Sequence, residues 1–270
     1  MKHQADKKGQ SDISSRYTRQ IQFEGLGPAG QRRLAARRAL IVGVGGLGSW
    51  SAELLARSGV GFLRLVDDDR VDLTNLHRQA LYDTADARSK TPKVRAAASH
   101  LVRINPAVTV ESVQERLSNA NVDTLAGDVD VIVDGTDNFA ARFVLNDYAI
   151  LANKCWVFAG VVGAEAQVMT IVPGQTACLR CIFDAPPPPC IEPTCRTTGV
   201  LPPAVAAIAS IQAMEAVKIL AGHRELVSPY LLKLDLWTNA LQRIDTTRSA
   251  ADTPCPCCRE RRFDYLDVHS

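Results

Sequence analysis

The sequence carries no excess of either charge. Its 270 residues hold 31 Lys and Arg against 29 Asp and Glu, a formal net charge of +2. So small an imbalance gives no reason to invoke a nucleic acid or a membrane surface as partner, and any anion site has to be a local cluster of cations. An apolar leader is also missing. The opening stretch MKHQADKKGQSDISS is polar and charged, so it does not read as a secretory signal. Residues 1–15 read instead as a disordered N-terminal arm. No apolar run reaches membrane-spanning length unbroken. The best candidate, Val200 to Leu220, is interrupted by Pro202, Pro203, Ser210, Gln212, Glu215 and Lys218. These absences set the expectation of a cytoplasmic protein. No internal repeat is visible.

What is present is ordinary for a soluble globular chain: 46% hydrophobic and 22% charged residues. The length allows one large domain or two small ones with a real core. The pattern favours one α/β domain over 16–270. Ala39–Val44 reads as a short buried strand running into a glycine-rich turn, Trp50–Ser58 as a helix stopped by Gly59, and Phe62–Val66 as the next strand. This is a βαβ unit and predicts a Rossmann-like, doubly wound, mostly parallel sheet. The alternation continues with a helix at Lys93–Ile104 and a strand at Val108–Val113. A short helix at Val122–Leu125 precedes a strand at Val129–Val133, a helix at Arg142–Ala152 and a strand at Trp156–Ala159. After Gly163 the style changes towards a more antiparallel extension: a strand at Ala166–Val172, a Pro-rich loop at Ala185–Pro193, a long Ala-rich helix at Ala204–Leu220, and late strands at Leu231–Leu236 and Phe263–Leu266.

Gly43-Val44-Gly45-Gly46-Leu47-Gly48 matches G-x-G-x-x-G, follows a predicted strand and opens a predicted helix, which is the context a nucleotide loop needs. Glycines let phosphates approach the backbone, and the helix start offers unpaired N–H donors. Asp67 ends the next strand, where an acid can reach a ribose hydroxyl. The loop alone would suit NAD. The stretch Asp67-Asp68-Asp69-Arg70-Val71-Asp72-Leu73-Thr74-Asn75-Leu76-His77-Arg78-Gln79, then Lys93 at a helix start and Asp137 after the fourth strand, point elsewhere. In open α/β sheets ligands sit beyond the C-terminal strand ends, so Arg78, Lys93 and Asp137 are expected to converge on the phosphates of one nucleotide. Each also has a bland reading: Arg78 as a surface arginine paired to Asp69 or Asp72, Lys93 as a solvated first-turn lysine, Asp137 as a helix cap, and Asn75 as a turn closer.

The chain has eight cysteines. Cys178-x-x-Cys181 and Cys255-x-x-Cys258 suit a four-thiolate structural zinc site that would staple the C-terminal tail to the domain. Cys257 is a competing ligand. Cys155 precedes a buried strand and reads as core.

Taken together, Arg16-Tyr17-Thr18-Arg19-Gln20, the glycine turn, Asn75-Leu76-His77-Arg78-Gln79, Pro92-Lys93, Thr136-Asp137-Asn138, Cys178-Leu179-Arg180-Cys181 and Gln212-Ala213-Met214-Glu215-Ala216-Val217-Lys218 span nearly the whole chain. In this order they resemble the ThiF/MoeB/HesA proteins, relatives of ubiquitin-activating enzymes. The resemblance implies an ATP- and magnesium-dependent adenylyltransferase, usually a homodimer, that activates the C-terminal Gly-Gly carboxylate of a ubiquitin-like sulfur carrier. It implies nucleotide contacts from Gly43, Gly45, Gly46, Gly48, Asp67, Asp69, Asn75, Arg78, Lys93, Asp137 and Asn138. Asp137 would hold magnesium, Arg19 would reach the partner subunit's site, and the four cysteines would hold zinc. Cys195, on a later loop, is covalently active in some members; a cysteine without a role is the alternative, and a redox pair with Cys190 a weaker one. Residues 37–160 would then bind nucleotide and 161–270 carrier and zinc. With no rhodanese segment before Ser270, a separate sulfur donor is expected. Two further readings compete: an NAD-dependent oxidoreductase, and a non-catalytic scaffold that binds a ubiquitin-like partner.

Overall fold

Successive residues of the central strands enter two different cores. The strand β1 (Arg38–Val42) sends Ala39 and Ile41 to one side of the sheet and Leu40 and Val42 to the other. In β2 (Phe62–Val66), Leu63 and Leu65 oppose Val66 in the same way. Side chains alternate across a strand, so a run that is apolar throughout has to be covered on both faces. The computed structural model describes residues 15–186, 198–246 and 254–266. The remaining strands are β3 (Thr109–Val113), β4 (Val131–Asp134), β5 (Cys155–Val162), β6 (Glu165–Ile171), β7 (Tyr230–Asp235) and β8 (Ala240–Asp245). They form one mixed sheet in the order β3-β2-β1-β4-β5-β6-β7-β8. Pairing is parallel from β3 to β5 and antiparallel from β5 to β8. The chain leaves β1 towards β2 on one side and returns to β4 on the other, so a crevice opens between β1 and β4 at the strand ends.

Helices cover both faces. The principal ones are α1 (Gly27–Ala36), α2 (Gly46–Ser58), α3 (Lys93–Ile104), α4 (Phe139–Leu151) and α5 (Pro202–Ala221). Helices α2, α3 and α5 share the first core, and α4 lies in the second with Trp156, Phe158 and the C-terminal segment. Helix α5 corrects the expectation that no apolar run reaches spanning length, because by length and composition it could cross a membrane. Its polar residues bond inside the protein instead. Gln212 donates to the carbonyls of Asp134 and Val157 and accepts from Ser51, and Glu215 accepts from Thr170 and from the Ser228 N–H.

One further expectation fails. Phe263–Leu266 is a turn and not a strand: its apolar residues pack as side chains, with Tyr265 against Phe143 at 4.8 Å between ring centroids. Strand β8 and helix α1 add to the expected elements. All six residues of β8 are exposed, so no alternation marks it. Helix α1 is rich in Gly and Arg and buries only Gly30, Gln31 and Leu34. The N-terminal arm and most of the Pro-rich loop lie outside the described residues.

Candidate active site

The glycine turn divides its work between packing and openness. Gly43 has φ +79°, and a Cβ there would sit 2.6 Å from the Gly135 carbonyl oxygen. A Cβ on Gly48 would collide with the Gly43 carbonyl oxygen, as would one on Gly135. Close contact among α2, β1 and the loop after β4 therefore needs glycine at all three. Gly43, Gly45 and Gly46 line a cavity of about 1200 Å³, whereas Gly48 is buried behind it. Gly48 packs helix on strand. Helix α2 begins at Gly46, four residues before the expected start, and no side chain caps it. Its first N–H groups have no intrahelical partners.

Asp67, at the end of β2, fixes the base of the cavity. One carboxylate oxygen accepts from the Val44 N–H at 2.7 Å and the other from the Asp69 N–H at 2.8 Å. Each retains a further lone pair for a ligand. Burial pushes the Asp67 carboxyl up from its ordinary value, and the neighbouring Lys93 ammonium opposes the shift. Lys93 is only 6% exposed, so the solvated-lysine reading does not hold. Its Nζ lies 2.8 Å from Asp69 and 3.9 Å from Asp67. A buried cation between two carboxylates at a cavity wall is a positioned charge, and the price of removing either partner is high. Arg78 lines the same cavity and forms no ion pair among the described residues, neither with Asp69 nor with Asp72; its Nη1 donates to the Thr74 carbonyl at 3.0 Å. Asn75 closes the preceding turn, accepting from the Asp72 N–H, and its side chain also reaches the cavity lining.

The loop after β4 carries Asp137. Asp134 is fully buried and accepts from the N–H and hydroxyl of Thr136 and from Arg142 Nε at 3.0 Å. Burial raises the Asp134 carboxyl, with Arg142 opposing. Arg142 also donates to the carbonyls of Thr136 and Ala159, so one guanidinium ties the loop to β5. Asn138, not Asp137, caps α4, accepting from the Ala141 N–H at 2.9 Å. The capping expectation for Asp137 is thereby corrected. Asp137 is exposed at the cavity with no ion pair or hydrogen bond among the described residues.

A second cluster lies under the antiparallel part. The Sγ atoms of Cys178, Cys181, Cys255 and Cys258 all lie within 4.8 Å of one another. Zn–S bonds of about 2.3 Å would put tetrahedral sulfurs roughly 3.8 Å apart. The Cys178–Cys181, Cys178–Cys255 and Cys181–Cys258 separations are 3.8, 3.6 and 3.5 Å. The four sulfurs thus fit a closed metal site. Cys257 is outside the group of four and accepts from Asn146 Nδ2 at 3.3 Å. Arg180, between two of the cysteines, is buried and pairs with Asp147 at 3.3 Å and Asp264 at 2.7 Å.

The ThiF family model matches residues 17–257. The chain belongs to the ThiF family. It is 38% identical over 258 residues to the sulfur carrier protein ThiS adenylyltransferase of Bacillus subtilis, covering 96% of this chain and 75% of that protein. It is 37% identical to the SAMP-activating enzyme E1 of Haloferax volcanii, covering 93% and 91%. A crystal structure of E. coli MccB shares the fold with a TM-score of 0.78 at 22% identity, covering 90% of this chain and 74% of that one.

In this ThiF-family chain Arg19 stands away from the cavity, exposed, with Gln22 as its hydrogen-bond partner. Cys190 and Cys195 lie outside the described residues. Several cavity residues have no role in the sequence reading: Gln79, whose buried Oε1 has no partner, Arg142, and Gln167 and Lys233 on β6 and β7. Gln79 is visible as part of a motif. The others acquire meaning only from strands and helices that meet in space.

Proposed function

We propose that this chain binds ATP with magnesium in the cavity and adenylates the C-terminal carboxylate of a small ubiquitin-like sulfur carrier ending in Gly-Gly, releasing pyrophosphate. The observation that carries the reading is a single cavity lined by the open glycines, Arg78, Lys93 and Asp137, which continues past Gly160 to Gln167 and Lys233. The adenylyltransferase relatives support the same activity. The wall along β5–β7 gives a flexible tail room to bring its carboxylate to the nucleotide.

The chemistry requires little covalent help. A carboxylate oxygen attacks the α-phosphorus, the bond to the bridging oxygen breaks, and pyrophosphate leaves as the acyl adenylate forms. The attacking group is already ionised near neutral pH, so no general base is needed. The obstacle is the meeting of two anions. Lys93 and Arg78 offset it, one as a point charge held by Asp69, the other as a planar fork of donors. The uncapped start of α2 adds N–H donors. Asp137, with its carboxylate unengaged, would hold magnesium, which supplies further neutralisation of the phosphates. Asp67 and Asp69 would recognise the ribose hydroxyls. The cysteine cluster would hold zinc in a structural role, since four thiolates leave no open position. Arg19, exposed and outside the lining of its own cavity, suits a homodimer in which it completes the neighbour's site. An NAD-dependent reading leaves the cations and Asp137 without a task.

The test is carrier-dependent ATP–pyrophosphate exchange with purified carriers, intact and lacking the terminal Gly-Gly. Exchange with intact carrier alone is the expected result. No exchange with any carrier, together with binding of NAD in place of ATP, overturns the reading.

A further inference from the structure

Arg78 and the glycine turn come from segments about thirty residues apart in the chain, yet the stem of one lies over the backbone of the other. Arg78 Cδ is 3.9 Å, and Cγ 4.0 Å, from where a Cβ on Gly46 would stand. Arg78 sits just after a single 3-10 turn (Leu73–Asn75), and its own N–H donates to the Asn75 carbonyl at 3.1 Å. Two consecutive residues of α2, Ser49 and Trp50, hold this loop. Ser49 Oγ donates to the Gly46 carbonyl at 3.1 Å and accepts from the Ala80 N–H at 3.0 Å. The Trp50 indole Nε1 donates to the Arg78 carbonyl at 3.2 Å, and no backbone N–H among the described residues bonds that carbonyl. The Trp50 ring itself packs against the core under α2.

We propose that Trp50 is a positioning residue for Arg78: its indole N–H fixes the arginine's backbone so that the side chain crosses Gly46 at the phosphate end of the cavity. The inference rests on the nucleotide-binding reading of the cavity. Its physical basis is that a donor on a rigid, core-packed ring sets the register between a loop and a helix start. Misplacement of a charge by a fraction of an ångström weakens its action on a bound anion. Trp50 does not touch the ligand and acts only through Arg78.

The test uses the full chain and two readouts: the Kd for MgATP by titration and carrier-dependent exchange, with melting temperatures recorded. Trp50→Phe keeps a ring and removes the donor. It is expected to raise the Kd and lower kcat/KM for ATP by about three- to tenfold, the scale of one hydrogen bond. Trp50→His carries a ring N–H at the position of the indole one and is expected to stay within about twofold of wild type. In an Arg78→Ala background, Trp50→Phe should change the Kd by less than about twofold, because the arginine it serves is gone. A purely structural role would instead lower the melting temperature in both backgrounds with additive effects on binding. Additivity, a wild-type Kd for Trp50→Phe, or a loss with Trp50→His as large as with Trp50→Phe overturns the inference. If Arg78→Ala itself binds MgATP normally, the nucleotide reading of Arg78 fails as well; if it is impaired and Trp50→Phe is not, only the positioning role fails.

Discussion

At the parallel end of the sheet, polar groups face a cavity with their bonding capacity partly unused; at the antiparallel end they are buried against one another. Asp137 has no partner among the described residues, the buried Gln79 Oε1 has none, and α2 starts without a cap. Beneath the antiparallel strands most polar groups are engaged: Asn146 bonds both the Leu179 N–H and Cys257 Sγ, and Asp147 accepts from Arg180 and from the Tyr265 N–H, while Arg180 Nε and Trp156 Nε1 are buried without a partner among the described residues. Four sulfurs complete that region. An unmade hydrogen bond in a buried place costs stability, and at a cavity wall a ligand can supply the missing partner. The second region has the opposite logic: its tail is fixed by polar side-chain chemistry together with the packing of Phe263, Tyr265 and Leu266. Substitutions in the first region should therefore remove activity and leave the fold, and substitutions in the second should loosen the fold.

The sharpest way to break this contrast is at the sulfurs. One zinc per chain is expected by metal analysis, lost on Cys178→Ser or Cys258→Ser. A structural zinc site contributes on the order of 10 kcal/mol apparent to folding, so either variant should unfold well below the wild-type temperature, and a chelator should act likewise. Zinc retained in both variants would remove the metal assignment. Next in size is Arg180. Arg180→Met leaves the fully buried Asp147 without its cation. Breaking a buried pair from one side costs roughly 3–5 kcal/mol, and Asp147→Leu in the same chain should recover part of it. Denaturant midpoints decide the matter, and a neutral single variant would mean the tail is held by apolar packing alone.

In the cavity the expected losses are catalytic. Asp137→Ala should cut exchange by at least about a hundredfold, near 3 kcal/mol of barrier. Its melting temperature should stay close to wild type, because the side chain is exposed and caps nothing. Arg19→Ala should be inactive alone. Mixed with Asp137→Ala in verified mixed dimers, it should regain activity at the one intact site; no rescue would argue against a shared site.

Burial decides how much of the fold and the site is legible in the sequence. Strand β2 and helix α3 appear at their expected bounds, because four of the five β2 residues are apolar and a helix with one buried face is periodic. Arg78, Lys93 and Asp137 are found by their place after strands, a rule of topology that needs no contact map. Strand β8 is not legible because neither of its faces is buried. Phe263–Leu266 imitates a strand because aromatic side chains seek a core by any backbone path. The cap of α4 is misplaced by one residue because Asp137 and Asn138 are both good caps, and only geometry selects Asn138. The roles of Trp50 and Arg142 depend on carbonyls of distant loops, for which no side-chain motif exists.

The smallest effect is expected at Cys195, and it divides the reaction in two. Asp137 and Arg78 come after strands of the nucleotide half, whereas Cys195 belongs to a later Pro-rich stretch without a phosphate-binding signature. If adenylation needs only the cavity groups, Cys195→Ala should keep carrier-dependent exchange within a few-fold of wild type, less than about 1 kcal/mol in barrier. Exchange reports the reversible formation of the adenylate and is blind to any subsequent transfer of the carrier. A covalent carrier–enzyme adduct, looked for by mass spectrometry under non-reducing conditions, reports that transfer and should disappear in the same variant if the thiol attacks the adenylate. Cys190→Ala serves as the matched control, since it removes a neighbouring thiol from the same stretch. A fall in exchange for Cys195→Ala as deep as that of Asp137→Ala would merge the two steps and make the cysteine loop part of the adenylation site. Normal exchange with the adduct still present would leave Cys195 without a chemical task.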